Sequence, residues 1–298
     1  MTADTSTSGS PLRISVVIPT RNRSRILGRT LDALAAQNGV GGEFEVLVVD
    51  DGSSDGTATV LESEGRRGRL RLSAIFQEHG GPARARNRAL ALAQAPRALL
   101  LGDDTVPAPD LIARHLDGSG DGGVQGFIDW HPDIPRSAVM EFLAPAGPQF
   151  YFKGLLADQP IPWTAVLGAN FSAPTSWFRE DPFDERFRDA AFEDTELAYR
   201  WALKGLESIF RPAAVCFHDH VYATIDPFLR RQRVAGRSVR LAVRKHPRMF
   251  PRTVLQPAAV SVLFAARHAA RTILQRPRQN DAWDLSTRYA FFRGFLEG

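Results

Sequence analysis

Residues 98–105 read ALLLGDDT: four apolar residues, a glycine and two adjacent aspartates. Ala98–Leu101 is short and wholly apolar, the composition of a strand buried on both faces. Gly102 ends it, so Asp103 and Asp104 stand just past a strand's carboxyl end. Two carboxylates this close raise each other's pKa unless something positive lies nearby. A hard divalent cation resolves the conflict, because Mg2+ or Mn2+ takes few protein carboxylates and completes its shell with phosphate oxygens and water. The plain alternative is a solvated turn in which Asp103 caps a helix. The surrounding sequence decides between the two.

Upstream, Ile14–Ile18 (ISVVI) is a β-branched run ended by Pro19, and Phe44–Val49 (FEVLVV) is a second strand, with a third at about Arg71–Gln77. Between the first two lies a helix opened by Ser24 as cap, with Ile26, Leu27, Leu31, Leu34 and Ala35 at helical spacing. After Gly80-Gly81-Pro82 an Ala/Arg-rich helix runs to Ala95. Strands alternating with helices predict an α/β, Rossmann-like fold, with a mostly parallel central sheet and helices on both faces. In such sheets ligands bind beyond the carboxyl ends of the strands. That rule selects Pro19–Asn22, Asp50–Asp55 and Gly102–Thr105 before any motif is invoked.

Past residue 120 the pattern loosens. Gly123–Trp130 reads as a strand, 132–162 carries no clear period, and Val166–Ala173 reads as another strand. Phe192–Lys204 is a helix stopped by Gly205, and Ser208–Phe217 a strand pair broken at Pro212. A basic amphipathic helix begins near Ile225, and a second helix is expected over Ala258–Leu274. Trp130, Phe150, Tyr151 and Phe152 read equally as core, while Trp163 and Gly168 are candidates for a pocket wall.

Composition bounds the rest. With 44% hydrophobic and 23% charged residues the chain is of ordinary globular type. The net charge of +4 hides an asymmetry: from Val221 onward 15 Lys and Arg face 4 Asp and Glu, a balance of +11, against −7 before it. A boundary near 220 follows, giving a polar disordered tail over 1–10, a catalytic body over 11–220 and a basic helical C-terminal extension over 221–298. The single cysteine, Cys216, forms no intrachain disulfide and is expected as a buried thiol. The first ten residues have no apolar signal-peptide core, and Arg267, His268 and Arg271 interrupt the longest apolar stretch. A cytoplasmic chain is expected, with the basic helices as a candidate peripheral contact at the inner face of a membrane.

Asp50-Asp51 forms a second acidic pair, in VVDDGSSDGT; a carboxylate there can accept from a base N–H or ribose hydroxyls. The spacing of Asp51, Ser53, Asp55, Gly56 and Glu62 imitates a calcium-binding helix–loop–helix, but the entering segment is a strand. Asp55 reads instead as a helix cap. Among Arg84, Arg86 and Arg88, which cannot all face one way on a helix, Arg86 is the candidate for phosphate.

Together, ISVVIPTRNR, VLVVDDGSSDGT, GGPARARNRAL, LLLGDDTVPAPDL, GANFSAPTSWF, FEDTELAYR and RPAAVCFH resemble glycosyltransferase family 2, the inverting, nucleotide-sugar-dependent enzymes of the GT-A fold. The resemblance covers about residues 12–220. It implies that Pro19, Thr20 and Arg21 line the nucleotide pocket and that Asp51 contacts the base. It places Asp103 and Asp104 at the DXD position, although Gly102-Asp103-Asp104 is not a full Asp-x-Asp; Asp104 is then the main ligand of Mn2+ or Mg2+, with Asp103 on metal or ribose. Asp194 matches the general base, His218 is a candidate third metal ligand in competition with His220, and Asn170 falls at the donor or acceptor pocket. The implied partners are a nucleotide-diphosphate sugar and a saccharide or lipid-linked acceptor, with no nucleic acid; a homo-oligomer stays open. Two alternatives differ in class. A sugar-nucleotide nucleotidyltransferase would favour a Gly-rich loop where Pro-Thr-Arg-Asn-Arg stands. A basic binding module would make the +11 region the functional part.

Overall fold

The computed structural model describes residues 11–145, 147–150, 152–249 and 279–298. The tail 1–10, Tyr151 and the helix expected over Ala258–Leu274 lie outside the described residues.

The first half follows the sequence closely. β1 (Ile14–Thr20), α1 (Ser24–Ala35), β2 (Phe44–Asp51), α2 (Thr57–Arg67), β3 (Leu72–Gln77), α3 (Pro82–Leu92) and β4 (Arg97–Leu101) alternate as predicted. β1 pairs in parallel with β2 on one side and β4 on the other, and β2 pairs with β3. Side chains alternate between faces with period two. Val16, Ile18, Val46, Val48, Leu99 and Leu101 therefore meet Leu27, Leu31 and Leu34 of α1 on one face. Val17, Leu47, Val49, Ala98 and Leu100 meet Ala83, Ala85 and Ala89 of α3 on the other. Each buried Val or Leu contributes about 1.5–3 kcal/mol, so both faces are needed to fix the register.

The second half adds β5 (Thr105–Pro107), α4 (Leu111–Leu116), β6 (Gly123–Trp130), α5 (Ala138–Leu143), a 3-10 turn (Trp163–Ala165), β7 (Asn170–Pro174), α6 (Thr175–Glu180), α7 (Glu193–Leu203) and β8 (Ser208–His218). One eight-stranded sheet results, in the order β3-β2-β1-β4-β7-β6-β8-β5. Its pairings are mostly parallel, with β4–β7, β6–β7 and β5–β8 antiparallel.

Three expectations are corrected. Ser208–His218 is one strand, not two: a register shift opposite Gly126/Phe127 loops out the stretch holding Pro212, and a bulge is where a strand tolerates proline. Val166–Ala169 is loop, and the strand begins only at Asn170. Ser24 does not cap α1; Arg23 holds the cap position, and the Ser24 N–H donates to Asp55 Oδ2 at 3.2 Å from the neighbouring turn. Asp55 also accepts from the Thr57 N–H at 2.9 Å, so one carboxylate serves two helix starts.

Beyond the body, α8 (Asp226–Lys245) and α9 (Gln279–Glu297) pack on each other. A methyl on Gly236 would sit 1.9 Å from the Phe291 carbonyl oxygen, and one on Gly294 1.8 Å from that of Arg233. The two helices thus cross backbone to backbone. The far end of α8 is clasped to α7: Lys245 Nζ and His246 Nε2 each lie 2.7 Å from Oε1 of fully buried Glu196. The apolar residues Phe228, Val239 and Ala242 of this basic helix are turned inward. Among the described residues no helix is long and apolar enough to cross a membrane.

Candidate active site

The strand order runs outward in both directions from the β1–β4 pair, and a crevice opens at such a switch point. Thr20 ends β1 and Asp103 follows β4; Thr20 Oγ1 donates to Asp103 Oδ2 at 2.8 Å across that crevice. Thr30 of α1 donates to the Asp103 carbonyl at 3.1 Å, fixing the turn from below. Burial and the charge of Asp104 push the Asp103 carboxyl up.

Asp104 meets His218 because of a pairing remote in sequence. β5 runs antiparallel to β8 and sets Thr105 opposite His218, while the Asp219 N–H donates to the Asp104 carbonyl at 2.8 Å. His218 Nε2 then faces Asp104 Oδ2 at 3.6 Å. Trp130 and Phe150 enclose the imidazole, with ring centroids at 5.5 and 5.6 Å. Burial lowers the His218 pKa to about 4 against the pull of Asp104, which leaves a neutral ring, the form that binds metals. Burial also opposes ionisation of Asp104, yet His218, Arg23, Arg231 and His220 together hold its carboxyl low. His220 lies beside His218, ring centroids 5.7 Å apart, and packs edge-on against Tyr222 at 4.5 Å.

These donors suit a hard cation only jointly with ligand oxygens. Among the described residues no group of three or more His, Cys, Asp or Glu gathers to hold a metal on protein alone. A neutral imidazole nitrogen and an ionised carboxylate oxygen facing each other, with His218 Nδ1 buried and lacking a hydrogen-bond partner, match the few-ligand habit of Mn2+ or Mg2+.

The other acidic pair opens α7. Glu193 is buried and its Oε1 lies 2.6 Å from Arg86 Nη1. Burial and neighbouring Asp194 raise the Glu193 carboxyl. Asp194 accepts from the Gly168 N–H and the Thr195 N–H, both at 2.7 Å, one on each oxygen. Oδ1 also accepts from Thr195 Oγ1 at 3.3 Å, so Oδ2 keeps the open lone pair, and the residue lines the cavity. Phe192, just before, has φ +74°, a conformation costly for a side-chain-bearing residue. It turns the chain so that the pair enters the helix facing inward.

One cavity of about 1030 Å³ is lined by Pro19, Asp103, Asp104, His218, Arg86 and Asp194. These six residues, each expected from the sequence to act on donor, metal or acceptor, are thereby brought together. Thr20 stands behind Asp103. Arg21 and Asp51 belong to an adjoining cluster: Arg21 Nη1 lies 3.2 Å from His79 Nε2, and His79 Nδ1 lies 2.8 Å from Asp51 Oδ2. Burial disfavours the Asp51 charge, but Gln77, Gly80, His79 and Gly81 bond to it and hold its pKa low. Asn170 is a correction. Its fully buried amide is engaged with His115 at 2.8 Å, the Phe127 carbonyl at 3.1 Å and the Ala214 carbonyl at 2.9 Å, and it braces strands instead of a ligand. Arg86, expected on phosphate, has its charge matched by Glu193. Trp163 and the largely buried Phe150 line the cavity, whereas Trp130 and Phe152 belong to the core alone.

Sequence reading missed Arg23, whose Nη2 lies 4.0 Å from Asp104 Oδ2, although it closes the PTRNR stretch already selected. It also missed the wall that α8 and α9 give the cavity, with Phe228, Arg231, Phe291 and Phe295. No local signal marks those four.

A fold with this switch-point crevice, an acidic pair past β4 and a second at a helix start defines a class of α/β transferase. The description "Glycosyl transferase family 2" matches residues 15–173, and the chain belongs to that family. It is 34% identical over 229 residues to a validoxylamine A glucosyltransferase of Streptomyces hygroscopicus subsp. limoneus, an alignment spanning 67% of this chain and 50% of that protein. The chain therefore spans about half the length of the curated relatives it matches. Among solved structures, the mannosyltransferase PcManGT from Pyrobaculum calidifontis, in complex with GDP-Man and Mn2+, shares the fold at a TM-score of 0.67 and 18% identity, over 96% of this chain and 87% of that one. S. aureus TarS 1–349 in complex with UDP-GlcNAc shares it at 0.54 and 18%, over 95% and 89%.

Proposed function

We propose that this chain transfers a sugar, with inversion, from a nucleotide-diphosphate donor to an acceptor hydroxyl. The observation that carries the reading is one cavity lined by Asp104, His218 and Asp194 together. Asp104 and His218 would hold Mn2+ or Mg2+, and the bound cation would supply positive charge to the donor's diphosphate. The fold-sharing mannosyltransferase bound to GDP-Man and Mn2+ supports that part. Asp103, held by Thr20 and burial, shapes the turn and faces metal or ribose. Asp51, with His79 and Arg21, forms the edge at which the base would lie.

Asp194 accepts the proton of the acceptor hydroxyl as its oxygen attacks the anomeric carbon. A carboxylate is too weak a base to ionise an alcohol beforehand, so Asp194 takes the proton as the bond forms. Gly168 and Thr195 hold the carboxylate in one orientation, so little reorganisation is needed.

Thermal shift against a panel of nucleotide-sugars, with and without Mn2+, tests the donor half. A cognate donor stabilises by RT ln(1 + [L]/Kd), and Asp104→Ala should abolish the Mn2+-dependent part of that gain. The anomeric configuration of the first product, read by NMR, tests the other half; retention would overturn the role of Asp194.

A further inference from the structure

We infer that Arg231, which lines the cavity with Asp104 and His218, binds the β-phosphate of the donor and stabilises the charge that develops there as the diphosphate departs. This rests on the nucleotide-sugar reading above.

Phe228, Arg231, Ala235 and Val239 recur every three to four residues on α8 and all line the cavity, so they form one helical stripe. Phe228 is buried in the core at the base of that stripe and fixes its rotation. Arg231, one turn on, is exposed within the opening. It lies against Tyr222, and its charge reaches Asp104 and His218.

Three other cations of α8 have structural partners. Arg233 bonds Glu297 at 2.6 Å, Arg240 caps the Leu296 carbonyl at 2.7 Å, and Lys245 lies 2.7 Å from Asp184. Among the described residues no carboxylate makes a close ion pair with Arg231: Asp104, which feels its charge, has Arg23 at 4.0 Å and His218 at 3.6 Å as its contacts. A guanidinium lining a cavity, bonded to a phenol and to no carboxylate, keeps donors for a ligand anion, and its planar fork fits two phosphate oxygens.

The charge balance of the transfer states what that cation does. The acceptor oxygen bonds to the anomeric carbon, and the bond from that carbon to the β-phosphate oxygen breaks. The electron pair stays on the phosphate oxygen, the acceptor proton passes to Asp194, and the diphosphate leaves with one more negative charge. A fixed guanidinium already aimed at that oxygen stabilises the developing charge more than the ground state. Turnover should depend on Arg231 more than donor KM does.

Calorimetric titration of wild type, Arg231→Ala, Arg231→Lys and Arg230→Ala with UDP, GDP, UMP and GMP in saturating MnCl2 tests the inference. The wild type should prefer one diphosphate over its monophosphate. Arg231→Ala should weaken that diphosphate about 10–100-fold, the scale of one charged hydrogen-bonded contact, and shift the monophosphate less than about twofold. Arg231→Lys should recover part of the loss, and Arg230→Ala, which removes an exposed charge from the same helix outside the cavity, should change nothing. Unaltered diphosphate binding in Arg231→Ala, equal loss for mono- and diphosphate, or an equal loss in Arg230→Ala would each overturn it. A wild type indifferent to the second phosphate would instead remove the nucleotide-sugar reading, and this inference with it.

Discussion

Asp103–Asp104 and Glu193–Asp194 are two acidic pairs on one cavity, and in each the first carboxyl is driven up while the second faces the opening. They differ in what the first residue touches. Glu193 has an internal cation, Arg86 at 2.6 Å, so its charge is balanced before any ligand arrives. Asp103 has the neutral hydroxyl of Thr20 at 2.8 Å, and the conflict with Asp104 persists. In the function proposed above, the pair with an internal partner leaves Asp194 to accept a proton, while Asp103–Asp104, with Arg23 no nearer than 4.0 Å to Asp104, takes a cation from outside. The same local motif would then serve as a base in one place and a metal site in the other.

Asp194→Asn puts that division to its hardest test. Turnover should fall about 10²–10⁴-fold, the usual contribution of a general base, with Mn2+-dependent nucleotide affinity unchanged; a variant that loses both would dissolve the distinction. Arg86→Met leaves Glu193 buried without its cation and should destabilise the fold by about 3–5 kcal/mol in urea unfolding. Adding Glu193→Leu should restore most of that loss, because the charges then leave together. Thr20→Val, the equivalent change beside Asp103, removes only a neutral partner and should cost about 1 kcal/mol.

The pH dependence of stability needs one further group. His115 is fully buried against Asn170 and Ser172, and burial lowers its pKa from 6.5 to about 4. The unfolded chain then takes up a proton at a pH where the native state does not. Stability is complete above pH 6.5 and falls down to about pH 4, by about 3 kcal/mol from this group. Chemical denaturation at stepped pH should show that slope, and His115→Gln should reduce it. Slope of the same sign left in the variant belongs to His218, which burial also lowers to about 4.

What the sequence revealed depended on range. β1, β2 and β4 and the aspartates past them were legible because an apolar run ended by proline or glycine is a local signal. The meeting of Asp104 with His218 needed β5 to pair with β8, and that of Arg86 with Glu193 spans 107 positions. Asp194 stood out only through its motif, since acidic residues in a first helical turn are commonplace. Asn170 was misassigned because a polar residue at a strand start looks like a ligand contact; its partner His115 sits 55 residues earlier. Pro212 signalled a break where a bulge absorbs it. Arg231 gave no signal, because a basic stripe on an amphipathic helix ordinarily faces water.

The glycine crossing of α8 and α9 also sets a length scale for change. Backbones that touch at Gly236 and Gly294 admit one axial alignment. Sliding α9 by a residue would drive the side chain of Arg293 or Phe295 into the Arg233 carbonyl. The cavity wall is therefore indexed like a key in a slot: Phe291 and Phe295 can be exchanged for other side chains without moving the helix, while a single methyl at either glycine would shift every one of them at once.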